Sequence, residues 1–160
     1  MEFKFTEENL HKINSVLTKY PTKKAAVMPV LYIAQEQNGW ISLEVMREVA
    51  SILEMNAEDV LGVVTFYTMY HQKPMGKYHI QVCTNVSCML RGAFPLYDKV
   101  REKLGIGNGG VTSDQKFSLE EVECMGSCGT APMIAVNEDF YENLTVEKAE
   151  EILESFKNRN

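Results

Sequence analysis

Four cysteines, arranged as two close pairs, constrain this chain more than any other feature of its sequence. Four residues separate Cys83 from Cys88, three separate Cys124 from Cys128, and 35 lie between the two pairs. Each pair follows a short run of residues typical of a β-strand, so we expect each pair to occupy a loop at a strand end. If the two strands are neighbours in one sheet, the loops lie at the same edge and the four sulfurs converge.

The four thiols are open to several interpretations. The N-terminal sequence MEFKFTEENL lacks the basic start and apolar stretch of a signal peptide, so we expect a reducing cytosol and no structural disulfides. Four inert cysteines are a poor explanation for two close pairs at strand ends. Structural zinc sites use four cysteines at similar short spacings, and iron-sulfur clusters take the same ligands at more varied spacings. Zinc and an iron-sulfur cluster are therefore the two serious candidates.

The residues between the cysteines favour the cluster. The segments TNVS and MGS place small side chains, hydroxyls and glycine around the sulfurs, so backbone N–H groups can turn toward a negative centre. Gly126 and Gly129 can adopt positive φ angles at which other residues would be strained. We therefore prefer an iron-sulfur cluster to zinc.

Composition and charge exclude several classes of protein. The chain has 160 residues, of which 45% are apolar and 24% charged, as in ordinary globular proteins. Its net charge of −6, without a basic stripe, argues against nucleic acid and anionic membrane surfaces as partners. The longest apolar run, AAVMPVLYIA, has ten residues and is too short to cross a bilayer, so we expect no membrane insertion. A protein partner or a small ligand remains.

The chain up to about residue 73 has helical periodicity, with apolar residues recurring at three- and four-residue steps. Capping residues and helix-ending signals bound four predicted helices: Thr6 to Tyr20, Thr22 to Gln37, Ser42 to Leu53 and Asn56 to Tyr70. Pro29 predicts a kink or a break in the second of them. Residues 1–73 should therefore form a small helical bundle.

After a proline and glycine break at 73–77, strand and helix patterns alternate. They predict a strand, a helix, a second strand, a short hairpin and a closing helix: Tyr78 to Cys83, Arg91 to Leu104, Phe117 to Cys124, Met133 to Val136 with Phe140 to Tyr141, and Thr145 to Phe156. The predicted fold class is therefore α+β, with a helical segment over 1–73 followed by an α/β domain over 77–160.

Three stretches of the chain resemble a known family. CTNVSC, ECMGSCGTAP and VVTFYTMYHQKPMGKYHIQVC are similar to the small thioredoxin-like 2Fe-2S subunit of bacterial NADH:quinone oxidoreductase, which is respiratory complex I. The resemblance covers nearly the whole chain. It implies a thioredoxin-like fold for the C-terminal domain and one 2Fe-2S cluster per chain. It also implies that Cys83 and Cys88 bind one iron, and that Cys124 and Cys128 bind the other.

The same resemblance implies a role and a partner. The chain would be an electron-transfer subunit of a hetero-oligomer, with FMN and NADH bound by the partner subunit and not by this chain. Its N-terminal helices would pack against that FMN/NADH-binding subunit. We expect a cytoplasmic protein, peripheral on the cytoplasmic face of the inner membrane through the complex. We expect it to be part of an oxidoreductase but to catalyse no reaction by itself.

Two alternatives to this role remain at this point. Equivalent subunits of NAD-linked hydrogenases and formate dehydrogenases share these motifs, so the motifs do not separate them from complex I. A protein of a different class, a zinc-stapled adaptor with the helices as its binding surface, would use the same four cysteines.

Two further features of the sequence, a glycine-rich motif and a histidine, do not indicate a binding site. The sequence GIGNGG at 105–110 matches a dinucleotide-binding motif, but it follows a predicted helix instead of a strand, so we predict a helix end and a loop. His79 lies on a predicted strand, where a structural role is commoner than metal ligation. No group of residues suggests a catalytic site. By analogy with thioredoxins, we expect a cis peptide at Ala131-Pro132.

Overall fold

The structure is a computed structural model that describes residues 3–159. Residues 1, 2 and 160, which belong to the predicted segments 1–73 and 77–160, lie outside this part. Between Pro74 and Met75 the chain divides into two compact units, called here the helical unit and the sheet unit. Within residues 3–159, no helix is long and apolar enough to cross a membrane.

The described part of the helical unit contains four α-helices: α1 (Glu7–Leu17), α2 (Val27–Asn38), α3 (Leu43–Leu53) and α4 (Ala57–Phe66). The predicted caps of α1 and α3 are confirmed, because the hydroxyls of Thr6 and Ser42 accept hydrogen bonds from backbone N–H groups three residues on. Gly39 ends α2 with a φ of 81°, a conformation that glycine adopts without strain.

The break in the second predicted helix lies before Pro29, not at it. Lys23–Ala26 form a short 3-10 helix capped by the hydroxyl of Thr22, and α2 begins only at Val27. Pro29 is then the third residue of α2, where a backbone N–H has no intrahelical partner to lose. The proline is therefore accommodated in the first turn without a kink.

Helix α4 is shorter than predicted because the following segment bonds to α2. The side chain of Gln35 donates to the carbonyl of Met69 at 2.9 Å and accepts from the N–H of His71 at 2.7 Å. The Tyr70 hydroxyl donates to the carbonyl of Met28 at 3.0 Å. These contacts with residues far away in the sequence hold the segment in a non-helical conformation after Phe66.

The core of the helical unit draws apolar side chains from all four helices. Its fully buried members include Ile13, Val30, Leu31, Val45, Val49, Leu53, Val60 and Val64. Their recurrence at three- and four-residue steps is the pattern that predicted the helices.

The sheet unit comprises β1 (Tyr78–Cys83), α5 (Val86–Leu90), α6 (Ala93–Leu104), β2 (Phe117–Val122), β3 (Ile134–Val136), β4 (Asp139–Tyr141) and α7 (Val146–Lys157). The strand order is β2-β1-β3-β4. Strand β1 is parallel to β2 and antiparallel to β3, and β3 and β4 form the predicted hairpin. The predicted α+β class, with helices followed by an α/β domain, is confirmed.

Helices α6 and α7 share one apolar core with the sheet. Buried side chains of the strands and of both helices form it: Ile80, Val82, Leu96, Val100, Leu119, Ile134, Leu153 and Phe156. The N–H of Lys148 donates to the hydroxyl of Thr145, which confirms the predicted cap of α7.

Two segments of the sheet unit bear on the sequence predictions: one is a helix that was not predicted, and the other is a predicted loop. Helix α5 was not predicted, and Gly92, with a φ of 96°, separates it from α6. The GIGNGG segment ends α6 and then runs beside β2, where Leu119 bonds to Gly109 at 2.7 Å and to Gly110 at 3.1 Å. The prediction of a helix end and a loop for this segment is confirmed.

Candidate metal centre

The two cysteine loops leave the sheet at the same edge. Strands β1 and β2 are parallel neighbours, and their last residues, Cys83 and Val122, are paired in register. Strand β2 ends two residues earlier than predicted, so Cys124 lies in the loop that follows it. The prediction that the two loops meet at one edge is confirmed.

The two cysteine pairs differ sharply in exposure. Cys83 and Cys88 are only 2% and 3% exposed, and they pack with Ala131 and Met133 in a small buried cluster. Cys124 and Cys128 are exposed, and their Sγ atoms lie 3.3 Å apart. The site therefore has a dry side formed by the first loop and a solvent side formed by the second.

Burial controls the ionisation of Cys88. Removal from water raises the pKa of the Cys88 thiol to about 11, and the neighbouring Cys83 contributes to this rise. In the metal-free chain this thiol is protonated at neutral pH. Binding of a metal centre as thiolate therefore releases a proton.

Local donors control the second pair. The N–H of Gly126 donates to Cys124 Sγ at 3.4 Å, and this bond is the largest cause of a lowered pKa for Cys124. The adjacent Cys124 raises the pKa of Cys128, while the hydroxyl of Ser87, from the first loop, lowers it. Gly126 has a φ of 88°, as its predicted role in turning N–H groups toward the sulfurs requires.

Three hydrogen bonds that do not involve sulfur join the first cysteine loop to the end of β2 and to the loop that follows it. The N–H of Thr84 donates to the carbonyl of Val122 at 3.1 Å, and its hydroxyl donates to Glu121 Oε1 at 2.8 Å. One residue further on, Asn85 Nδ2 donates to Glu123 Oε2. The bonds continue the pairing of β1 with β2 past the ends of the strands.

The donor set, one pair of cysteines on each of two neighbouring loops, fits a two-iron cluster. A four-cysteine zinc site needs all its sulfurs about 2.3 Å from one point. A two-iron cluster spreads the four thiolates over two metals, which suits one pair of cysteines on each loop.

His79 lies away from this chemistry. It is buried on β1, with Nδ1 2.9 Å from Ser118 Oγ and Nε2 3.0 Å from Glu120 Oε2 on the neighbouring strand. Both ring nitrogens thus contact β2, in agreement with the predicted structural role. The Ala131-Pro132 peptide is cis, as predicted.

A family model for thioredoxin-like 2Fe-2S ferredoxins matches residues 13–157. The chain belongs to this family. The thioredoxin-like fold predicted for the C-terminal domain is therefore confirmed. The family carries the cofactor that the sequence predicted, a 2Fe-2S cluster, and the zinc alternative falls away.

Two relatives of this ferredoxin match nearly all of its length. The NADH-quinone oxidoreductase subunit designated E in Rickettsia bellii is 46% identical over 159 residues, which cover 98% of this chain and 95% of the relative. The mitochondrial NADH dehydrogenase (ubiquinone) flavoprotein 2 of Dictyostelium discoideum is 44% identical, over 98% of this chain and 64% of its own length. The resemblance seen in the sequence is confirmed.

A solved structure shares the fold. An NAD+-reducing nickel-iron hydrogenase in the H2-reduced state superposes with a TM-score of 0.75 at 17% identity. The match covers 84% of this ferredoxin, which corresponds to 22% of the hydrogenase chain. At this identity the likeness concerns the fold alone.

Four residues of this ferredoxin whose side chains bond the first cysteine loop to β2 and to the second loop were not predicted from the sequence: Thr84, Asn85, Glu121 and Glu123. One signal was present, since an asparagine three residues before Cys88 is a common helix cap. The contacts between the loops could not be foreseen, because they depend on how β1 and β2 are paired.

Proposed function

We propose that this chain is the 2Fe-2S electron-transfer subunit of an NADH-quinone oxidoreductase. The observation that carries the proposal is its 46% identity, over 98% of its own length and 95% of the relative's, to the Rickettsia bellii subunit of that enzyme. Such relatives are parts of a larger assembly, so the chain works in a hetero-oligomer. The hydrogenase likeness concerns only the fold, so a subunit of an NAD-linked hydrogenase or formate dehydrogenase is the weaker alternative.

In this proposal the cysteines divide by loop. Cys83 and Cys88 hold one iron, and Cys124 and Cys128 hold the other. The 3.3 Å separation of the two exposed sulfurs and the shared buried cluster of the other two support this pairing. All four act as thiolates, since only the deprotonated sulfur ligates iron.

When bound, the cluster supplies a centre that takes up and gives back one electron. The chain's own residues determine its surroundings. Met125 packs against the buried cysteines and keeps water from them, while the N–H of Gly126 favours negative charge on Cys124. Shielding opposes extra negative charge and the donor favours it, so the two sides of the site act in opposite directions on the reduction potential.

The partner in this proposal is the FMN- and NADH-binding subunit of the same enzyme. NADH delivers a hydride carrying two electrons, whereas this chain offers a one-electron centre, and a flavin converts between the two. The GIGNGG loop is bonded along β2 and opens no helix that could receive a pyrophosphate. We therefore place NADH oxidation on the partner. In this proposal the chain contacts that partner through its helical unit. The assembly lies on the cytoplasmic face of the inner membrane.

The test uses the full chain, loaded with iron and sulfide under anaerobic conditions. We expect a brown protein with two irons per chain, whose visible absorption is bleached by dithionite and unchanged by NADH. Adding the FMN-containing subunit should make NADH a reductant for the cluster. A colourless chain with stoichiometric zinc would overturn the assignment. Reduction by NADH without any flavin would show that the chemistry had been placed on the wrong subunit.

A further inference from the structure

Asn85 contacts both cysteine loops through the two ends of its side chain. Its Oδ1 accepts from the N–H of Val86 at 2.9 Å and so caps α5, the helix that carries Cys88. Its Nδ2 donates to Oε2 of Glu123, the residue immediately before Cys124. One planar amide thus spans the distance between the two loops.

The two contacts fix the orientation of that amide. The N–H of Val86 needs an acceptor and the carboxylate of Glu123 needs a donor. A flipped amide would place donor against donor and acceptor against acceptor. Asn85 can therefore bond both Val86 and Glu123 in one amide orientation only. In that orientation its side chain sets the distance between the two loops at this point.

The bond lies where the backbone no longer joins the loops. Strand β1 ends at Cys83 and β2 at Val122, and the bond from Thr84 to the Val122 carbonyl is one residue further on. Asn85 and Glu123 follow next, beyond this last backbone contact. Their side chains join the two loops there.

A carboxylate directly before Cys124 places a negative charge beside a ligating thiolate, and like charges repel. Glu123 therefore does not serve to stabilise a thiolate. Its carboxylate instead accepts a hydrogen bond from Asn85 Nδ2, on the other loop.

We propose that Asn85 and Glu123 are positioning residues, which hold the loop of Cys88 and the loop of Cys124 at the separation that a bridging cluster requires. The proposal rests on the ligand assignment made above. It predicts that the pair controls how long the cluster survives, even though neither residue touches iron.

The test exchanges donor and acceptor between the two positions in the full, cluster-loaded chain. Asn85→Asp keeps an acceptor for Val86, since aspartate is a good helix cap, but it opposes one carboxylate to another. Adding Glu123→Gln restores one donor and one acceptor with the roles reversed. The measurements are the half-life of the visible absorption in the presence of an iron chelator, and the EPR spectrum after dithionite reduction.

We expect Asn85→Asp to shorten the half-life about three- to tenfold, as for the loss of one hydrogen bond and its replacement by repulsion. The double variant should recover a half-life within about twofold of the wild type, because the bond is restored. Its EPR spectrum should return to the wild-type form. If Asn85→Asp acted only on α5, adding Glu123→Gln would not restore the half-life.

Glu123→Gln alone separates charge from position. The amide oxygen still accepts from Asn85, so the half-life should stay near that of the wild type. Because a negative charge beside the site is removed, the midpoint potential should rise. Glu138→Gln is the matched control, since its turn between β3 and β4 lies at the opposite end of the sheet, where Asn137 bonds to Lys77 and His79. It should change neither quantity.

Three outcomes would overturn the proposal. A wild-type half-life in Asn85→Asp would show that the bond holds nothing in place. A shortened half-life that Glu123→Gln does not rescue would give Asn85 some other role. A wild-type chain that binds no cluster would overturn the ligand assignment and this proposal together. The first two results, with a cluster present in the wild type, would overturn this proposal alone.

Discussion

At the scale of single residues, the site is made asymmetric by exposure. The buried Cys88 has a pKa raised to about 11, whereas the exposed Cys124 has a lowered pKa because of the Gly126 N–H. Of these two thiols, Cys124 is therefore the one that gives up its proton more readily.

Removing one proposed ligand tests the assignment directly. Cys83→Ala should abolish the visible absorption or leave a degraded cluster, because one iron loses a thiolate. Iron analysis and EPR after dithionite reduction measure this loss. As a control, the helical signal in the circular dichroism spectrum should be unchanged. An unchanged visible spectrum and an unchanged one-electron signal would contradict the assignment of Cys83.

Tyr70 gives the helical unit a pH dependence of its own. Burial is the main cause of its raised pKa, followed by the charges of Tyr32 and Tyr67. In the unfolded chain Tyr70 ionises near pH 10, as free tyrosine does, whereas in the folded chain it stays protonated at that pH. The unfolded chain therefore binds fewer protons above about pH 10, and the free energy of unfolding should fall as the pH rises further. The effect is absent below that pH, where Tyr70 is neutral in both states.

Tyr70→Phe should separate this effect from others. At pH 7 the variant loses the bond to the Met28 carbonyl and about 1 kcal/mol of stability. Above about pH 10 its stability should fall less steeply than that of the wild type. Urea unfolding at the two pH values measures both, with the exposed Tyr20→Phe as control. Parallel pH dependences for Tyr70→Phe and the wild type would refute the argument.

At the scale of elements, the segment just before β1 lies close against the start of β2. Lys77 and Tyr78 bond to Gln115 and Lys116, which brings the chain before β1 against the start of β2. A Cβ on Gly76 would lie 2.3 Å from the backbone carbon of Phe117. The close approach of two backbones at this point requires glycine.

Gly76→Ala should therefore destabilise the sheet unit by about 2 kcal/mol or more, because backbone cannot yield as a flexible side chain does. Gly62→Ala is the informative comparison. Gly62 lies within α4 with nothing within 4 Å of an added Cβ, so alanine there should stabilise the helix by up to about 1 kcal/mol. Chemical unfolding measures both changes. Equal effects of the two substitutions would be incompatible with the close contact at Phe117.

At the scale of the molecule, two separate cores have different consequences for the site. The core of the helical unit consists of residues before Pro74, and the cores around the sheet and the buried cysteines consist of residues after it. The cluster loops extend from the second set. Each unit should therefore respond to a core substitution of its own.

Two matched substitutions test this independence. Leu31→Ala and Leu119→Ala each empty a fully buried position and should each cost about 3 kcal/mol. Only Leu119→Ala, on β2, should shorten the lifetime of the cluster in a chelator. Hydrogen exchange should show the loss of protection in the helical unit for Leu31→Ala and in the sheet unit for Leu119→Ala. A shortened cluster lifetime in Leu31→Ala would show that the units are coupled.

The sequence alone determined those features whose causes lie within a few neighbouring residues. Strand Tyr78–Cys83 follows from its composition, and the caps at Thr6, Ser42 and Thr145 follow from hydroxyls placed before apolar periodic segments. The two close cysteine pairs pointed to a metal centre without any knowledge of the fold, because the spacing within each pair is a local property.

The tertiary structure alone decided those features that depend on residues far apart in the chain. Helix α4 ends at Phe66 because Gln35 bonds to the segment that follows it. Asn85 meets Glu123, 38 positions away, only because β1 and β2 are paired in one register. A shift of one residue in that register would turn every side chain of the strand to the other face of the sheet. The contrast between a buried and an exposed cysteine pair likewise comes from packing, because exposure depends on which neighbours the fold brings to each loop.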